Sequence, residues 1–130
     1  MVIAETRIGN IIVACRSLPA TDENMSVHAE QALISFCREW FGCVPPYIKT
    51  MRMTADGELC EAVPCLTCAL VCQACGINTV QIDGPNGTRT CILQQEISNG
   101  TIRESSANRP WKYNIRNKNQ NNNINIICAM

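Results

Sequence analysis

Three side chains of this 130-residue chain have the types and spacing of metal ligands. They are His28, which is the only histidine, and two cysteines that follow Pro64, namely Cys65 and Cys68. Nitrogen and sulfur donors of this kind suit zinc, and three protein ligands leave the fourth tetrahedral position free for water. The pattern therefore predicts one zinc ion per chain, at a catalytic site.

Glu30 lies two residues after His28 and is the candidate for proton transfer. On an ideal helix the two residues differ by about 200°, so they are not expected to bind one metal ion from the same face. We predict that His28 coordinates zinc, while Glu30 takes a proton from the zinc-bound water and returns it to the substrate. Because zinc can bring the pKa of that water to about 7, hydroxide is available at neutral pH.

Ten cysteines leave other interpretations of the Cys-x-x-Cys spacing open, since a pair three residues apart is common by chance at this content. Cys72 and Cys75 could complete a closed four-cysteine zinc site, but we favour core packing for them because free cysteines are often buried. A disulfide framework is a further alternative. The N-terminus lacks the pattern of a secretory signal, which predicts an intracellular, cytoplasmic protein instead.

Two predicted helices carry the candidate ligands. Ser26 is a candidate N-cap for the first helix, whose first turn would contain His28. Pro64 suits the first position of a second helix, which is predicted to run to Cys75 and to stop at Gly76. Cysteines three apart in a first helical turn share a face, and the positive end of the helix dipole there favours thiolates.

Five strands are predicted around these helices. Residues 1–16 form two strands with a tight turn at Gly9-Asn10, and residues 47–54 form the third. The last two strands, at residues 77–82 and 88–97, should pair antiparallel because their connection is too short for a parallel crossover. The prediction is one α/β domain with a mixed five-stranded sheet and helices on its faces. No run of 18 apolar residues occurs, so we predict no membrane span.

The C-terminal part of the chain differs from the rest in charge. Residues 1–102 carry six basic and ten acidic side chains, whereas residues 103–130 carry five basic and one acidic. Any contact with nucleic acid is therefore predicted at the C-terminus. The candidate contacts are Arg109, Trp111, Lys112, Tyr113 and Arg116. The alternative is that Trp111 covers the sheet and the charges are solvated.

The composition also predicts a domain boundary. Residues 1–113 are predicted to form the catalytic domain. Residues 114–130 are rich in asparagine, with little to pack, and we expect most of them to be disordered.

A known family shares the whole pattern. His28-Ala29-Glu30 together with Pro64-Cys65-x-x-Cys68 resembles the zinc-dependent cytidine deaminase superfamily. The similarity covers roughly residues 1–97 and includes Ala69, Gly76 and Ile77. It implies a three-layer α/β/α fold, zinc ligands at His28, Cys65 and Cys68, and Glu30 as the proton carrier.

The resemblance also implies a reaction. Hydroxide attacks C4 of cytosine, or less often C6 of adenine, and ammonia leaves. The predicted antiparallel last strand resembles that of one branch of the superfamily, which holds free-nucleoside cytidine deaminases and several bacterial toxin deaminases. We predict an enzyme that converts cytosine to uracil in a free (deoxy)cytidine-type nucleoside or nucleotide. The alternatives are a cytosine deaminase of single-stranded DNA or RNA, and an inactive binding module of the same fold.

Substrate contacts follow from the same resemblance. Ala29 and Pro64 lie beside the ligands, and Arg16 and Ser17 stand where many family members carry an asparagine that holds the substrate. Many members also begin with a helix that covers one face of the sheet. Here no segment precedes the first strand, so residues 98–113 or a second copy of the chain is expected to cover that face.

Overall fold

The computed structural model describes residues 1–18 and 27–104 and the backbone of residues 124–128. None of the helices in these residues is long and apolar enough to cross a membrane. Strands and helices follow one another along these residues as in an α/β protein. Their order is β1 (Val2–Ile8), β2 (Ile11–Arg16), α1 (Ala29–Trp40), β3 (Lys49–Met53), β4 (Leu59–Cys60), α2 (Leu66–Ala74), β5 (Thr79–Gly84), β6 (Gly87–Ile92), α3 (Leu93–Ser98) and β7 (Ile124–Cys128).

The strands form one mixed sheet. Its order is β6-β5-β3-β1-β2-β7, and the short strand β4 pairs with β3. β3 and β5 are parallel, and β5 and β6 are antiparallel, which confirms the predicted ending. The predicted hairpin of β1 and β2 is also present, and Gly9 in its turn has a φ of 60°, a conformation that favours glycine. The five predicted strands are therefore present, although several of their bounds differ.

One hydrophobic core joins the three helices to one face of the sheet. Buried and less buried residues alternate along β1 and β2, as expected for strands with one face on a core. Fully buried members of the core include Ala4, Val13, Leu33, Cys72 and Leu93. Within the described residues no helix covers the opposite face, so two of the three predicted layers are observed.

The start of α1 differs from the prediction. His28 is the N-cap residue, with extended backbone angles of φ −82° and ψ 141°, and does not lie in the first turn. Val27 pairs with Leu18 through two backbone hydrogen bonds of 2.9 and 3.0 Å. This pairing keeps the chain extended up to the ligand position. The predicted cap, Ser26, lies outside the described residues.

The start of α2 also differs. Cys65 is the N-cap residue, with φ −71° and ψ 167°, and the helix begins at Leu66 and not at Pro64. The amide of Leu66 donates a hydrogen bond of 2.9 Å to the carbonyl of Arg103. A tertiary contact therefore helps to set this boundary, which the local signal of the proline did not predict. Gly76, with a φ of 85°, follows the C-cap residue as predicted.

The prediction of a strand over residues 88–97 is wrong in its second half. β6 ends at Ile92, and α3 follows directly. The neighbouring strand begins at Thr79, which pairs with Ile92, so the chain beyond this point has no neighbour within the sheet. The amide of Leu93 donates to the carbonyl of Asn78 at 3.0 Å instead.

The C-terminal tail contributes a strand where disorder was predicted. β7 pairs antiparallel with β2, so that Ile124 lies opposite Cys15 and Cys128 lies opposite Ile11. The outer edge of β2 offers unpaired backbone groups, and isoleucine favours strands. The remainder of residues 114–130 and the predicted domain boundary at residue 113 lie outside the described residues.

Candidate metal centre

The structure brings the three predicted ligands together. The candidate donor atoms of His28, Cys65 and Cys68 all lie within 4.8 Å of one another. His28 Nδ1 is 3.5 Å from the Sγ atom of Cys65 and 3.3 Å from that of Cys68. Tetrahedral zinc bonds of about 2.0–2.1 Å to nitrogen and about 2.3 Å to sulfur place these atoms about 3.6 Å apart. The donor set therefore fits a zinc ion.

Two helix N-termini converge on this cluster. His28 and Cys65 are the N-cap residues of α1 and α2, and Cys68 follows in the first turn of α2. The two helices contact each other, and the proximity of His28, Cys65 and Cys68 places their N-terminal ends side by side. Because the first backbone N–H groups of a helix carry partial positive charge, this place favours negatively charged sulfur.

The acid–base properties of the ligands reflect their contacts. The pKa of Cys65 is lowered to about 4, because the Cys68 thiol and His28 both form hydrogen bonds with its sulfur. The pKa of Cys68 is raised, because it is the donor to Cys65 and is buried. The hydrogen bond to Cys65 raises the pKa of His28. One thiol of the pair thus ionises readily even before a metal ion replaces the protons.

Glu30 lies beside the cluster but not within it. Its side chain is buried, and this burial raises its pKa from 4.5. The negative charge of Cys65 raises the pKa further, and the positive charge of His28 opposes the shift. A raised pKa means that the carboxyl group holds a proton more readily than an exposed glutamate does, which suits a group that takes up and releases a proton. Glu30 thus lies next to the clustered donors without being one of them, and its role in proton transfer stays a prediction.

A cavity of about 720 Å³ opens beside the cluster. This volume lies in the range of about 300–1,000 Å³ that is usual for small-molecule sites. Three of the four predicted substrate contacts, Arg16, Ser17 and Ala29, line the cavity together with His28 and Glu30. Pro64 is fully buried and is not among the lining residues of this cavity in the described part of the chain.

The closed four-cysteine alternative is not supported by the geometry. Among the described residues, the only group of three or more close metal-binding side chains is that of His28, Cys65 and Cys68. Cys72 is fully buried in the hydrophobic core, and burial raises its pKa to about 12. Packing, which the sequence analysis favoured, is therefore the observed role of Cys72.

Gln31 belongs to the site and was missed in the sequence. It follows Glu30 in α1, and its Nε2 donates a hydrogen bond of 3.2 Å to Cys68 Sγ. A glutamine on a helix is ordinary, so its residue type carries no signal. Only the position next to Glu30 could have drawn attention to it. The predicted nucleic-acid contacts at Arg109, Trp111, Lys112, Tyr113 and Arg116 lie outside the described residues.

Fold and site together define an α/β protein with a His-Cys-Cys cluster that could hold a metal ion. Comparison of the chain with protein-family models, with curated proteins and with solved structures finds no match. Function is therefore inferred from the geometry of the site, because a fold by itself does not determine an activity.

Cys65 is expected to be the first cysteine of the metal-free protein to react with iodoacetamide at neutral pH. Its lowered pKa makes it a thiolate, and it is only partly buried. Cys15 and Cys72 should remain unmodified, because burial raises the pKa of each to about 12. Mass spectrometry of peptides after timed labelling measures the order. Labelling of Cys72 as fast as Cys65 would contradict the described site, and bound zinc should protect Cys65.

Proposed function

We propose that this chain is a zinc-dependent hydrolytic deaminase that converts cytosine to uracil, with a free (deoxy)cytidine-type nucleoside or nucleotide as its substrate. The observation that carries the proposal is the buried Glu30 beside the His-Cys-Cys cluster, at a cavity that both share. Deaminases of this type need a metal site with an open position and one carboxyl group that moves protons. The resemblance of the two motifs to the zinc-dependent cytidine deaminases adds the reaction class.

His28, Cys65 and Cys68 are the residues that would hold the zinc ion. When bound, zinc supplies a Lewis acid that makes water nucleophilic near neutral pH. Two thiolates and a neutral imidazole balance the charge of the ion. The buried site would thus carry little net charge apart from Glu30.

Glu30 would move the protons of the reaction. As a carboxylate it accepts a proton from the attacking water, and it then donates this proton to N3 of cytosine while C4 becomes tetrahedral. It next carries the proton of the new hydroxyl group to the amino group, which leaves as ammonia. Water and cytosine thereby yield uracil and ammonia. The burial that raises the pKa of Glu30 suits it to both directions of transfer.

The cavity wall would hold the base and limit access of water. Apolar side chains line much of it, namely those of Val2, Leu18, Val27 and Val63. The wall residue Ala62 is held by a hydrogen bond of 2.8 Å from Thr50 Oγ1 to its carbonyl. Both partners are buried, so this part of the wall is well anchored. Such a surface suits the faces of a flat pyrimidine ring.

The test is release of ammonia and uracil by the zinc-loaded full chain. Cytidine, deoxycytidine, their monophosphates and adenosine are supplied separately, and products are identified by mass spectrometry. We expect uracil products from at least one cytosine substrate and loss of activity on zinc removal. A zinc-loaded, folded protein that deaminates none of these compounds and no oligonucleotide would contradict the proposal and favour a binding module.

A single-stranded DNA or RNA substrate is the second candidate, and one observation favours it. The basic segment at residues 105–123 is flanked on both sides by contacts near the cavity. On one side, the backbone carbonyl of Arg103 accepts a hydrogen bond from the amide of Leu66, which follows Cys65. On the other, Ile124 pairs with Cys15, next to Arg16 at the cavity. The segment between these two contacts is basic in sequence, which favours a polyanion as substrate.

A charge-neutralised variant distinguishes the two candidates. Substituting Arg109→Gln, Lys112→Gln and Arg116→Gln should slow turnover of an oligonucleotide and weaken its salt dependence, while nucleoside turnover stays unchanged. The matched control removes three exposed charges elsewhere, with Arg7→Gln, Arg38→Gln and Arg52→Gln. Equal effects of the two variants on oligonucleotide turnover would exclude a specific role for the segment.

A further inference from the structure

Gln31 makes an unusual contact for a buried amide. Its side chain is only 1% exposed, and its Nε2 lies 3.2 Å from Cys68 Sγ. Within the described part of the chain, its Oε1 has no hydrogen-bond partner. A buried acceptor without a partner is costly, and the contact of Nε2 with Cys68 Sγ is the hydrogen bond that this amide does make.

The side-chain amide of Gln31 can face Cys68 with either its nitrogen or its oxygen, and the two orientations differ in what they offer the sulfur. With Nε2 toward Cys68, a donor faces the sulfur. Turning the amide over would place Oε1 against the sulfur, and two acceptors would then face each other once Cys68 is a thiolate. The side-chain oxygen of glutamine carries no hydrogen to donate, whereas Nε2 carries two. The observed orientation therefore matches a sulfur that acts as an acceptor, as a metal-bound thiolate does.

The negative charge around the cluster explains why a hydrogen-bond donor is favourable at this position. Once a metal ion replaces the thiol protons, two thiolates and the carboxyl group of Glu30 would lie close together, and Cys68 itself is fully buried. The described side-chain hydrogen bonds of Cys68 Sγ include one from Gln31 Nε2 and one with His28 Nδ1. The donor from Gln31 is an uncharged amide. Partners of this kind orient metal ligands and tune the metal.

We propose that Gln31 is a positioning residue of the metal centre, which holds Cys68 Sγ toward His28 Nδ1 and stabilises its metal-bound form. The inference rests on the metal site of the proposed function, but not on deamination. It assigns to the centre a fourth side chain that neither contacts the ion nor moves a proton. Its contribution should therefore be measurable as metal affinity, without any substrate.

Gln31→Met keeps the length of the side chain and removes the donor. We expect zinc affinity, measured by competition with a chromophoric chelator, to fall about 10- to 100-fold, as for other outer partners of metal ligands. Gln31→Glu keeps the shape but places a negative group against the sulfur, so a larger fall is expected. With cobalt in place of zinc, the sulfur-to-metal absorption bands should shift in both variants. Gln73→Met, on a partly exposed glutamine of α2, is the matched control.

Folding of the variants is checked separately by circular dichroism and thermal unfolding in the presence of a chelator. If Gln31 served only in packing, the variants would lose stability in the absence of metal. Gln31→Glu would then not bind zinc more weakly than Gln31→Met, and the cobalt bands would not shift. Wild-type affinity and unchanged bands in Gln31→Met would overturn the proposal, as would a wild-type chain that binds no zinc. A chain that binds zinc, responds to Gln31 as expected and deaminates nothing would refute the proposed reaction and leave this inference standing.

Discussion

Glu30→Gln is expected to lower the rate of cytosine deamination by about 10²- to 10⁴-fold, the usual contribution of a positioned acid or base. The amide has nearly the shape of the acid but neither accepts the proton of water nor delivers it to the ring. Glu30 is buried at the cavity, so no bulk water replaces it at close range. Initial rates at saturating and subsaturating substrate measure the loss, which should fall mainly on kcat.

Zinc content provides the check on this result. Because Glu30 lies outside the His-Cys-Cys cluster, the variant should still bind one zinc ion per chain. Glu39→Gln, on the exposed surface of the same helix, is the matched control and should retain full activity. Full activity of Glu30→Gln would exclude the proposed proton carrier. Loss of zinc together with activity would show that Glu30 supports the metal and would remove the evidence for proton transfer.

Cys65→Ser is expected to weaken zinc binding by more than the 10- to 100-fold that loss of an outer partner costs, because a direct ligand is removed. Serine has almost the same shape and is itself a favoured N-cap residue. Since Cys65 is the N-cap of α2, the helix should keep its start, and the effect should be confined to the metal. Equilibrium competition with a chelator measures the affinity.

Thermal unfolding gives a second measurement of the contribution of Cys65 to zinc binding. Zinc at about 100 times its dissociation constant stabilises a protein that binds it only when folded by about 2.7 kcal/mol. The wild type should show this shift and Cys65→Ser should show almost none of it at the same zinc concentration. Cys72→Ala serves as the control, because Cys72 is buried in the core and is not a ligand in the described cluster. That variant should lose intrinsic stability yet keep the zinc shift; an absent shift would revive the four-cysteine site.

Much of the metal centre could be predicted from residue types. A single histidine, two cysteines after a proline and a glutamate two residues from the histidine form a small set of chemical candidates, and the cluster of the three ligands is observed. The proximity of these three side chains could be predicted because nitrogen and sulfur donors suit zinc, and few of them stand in a suitable local context. Gln31 could not be predicted, because its role comes from its distance to Cys68 and not from its type.

The bounds of the elements were less predictable than their existence. His28 precedes α1 because Val27 pairs with Leu18, and Leu66 begins α2 while bound to Arg103. In each case the partner lies outside the few residues that signal the start of a helix, so those residues do not predict the boundary. The last predicted strand ends early for the same kind of reason, since β5 provides no partner beyond Ile92.

By itself, the sequence determined the α/β class, the hairpin at Gly9, the antiparallel end of the sheet and the identity of the candidate ligands, because these depend on local periodicity, turn residues and donor chemistry. Only the tertiary structure decided that the N-termini of α1 and α2 meet, that Glu30 is buried beside the ligands, that Gln31 contacts Cys68 and that β7 pairs with β2. These features depend on contacts between residues far apart in the chain. Such contacts form only when a shared core brings the elements together.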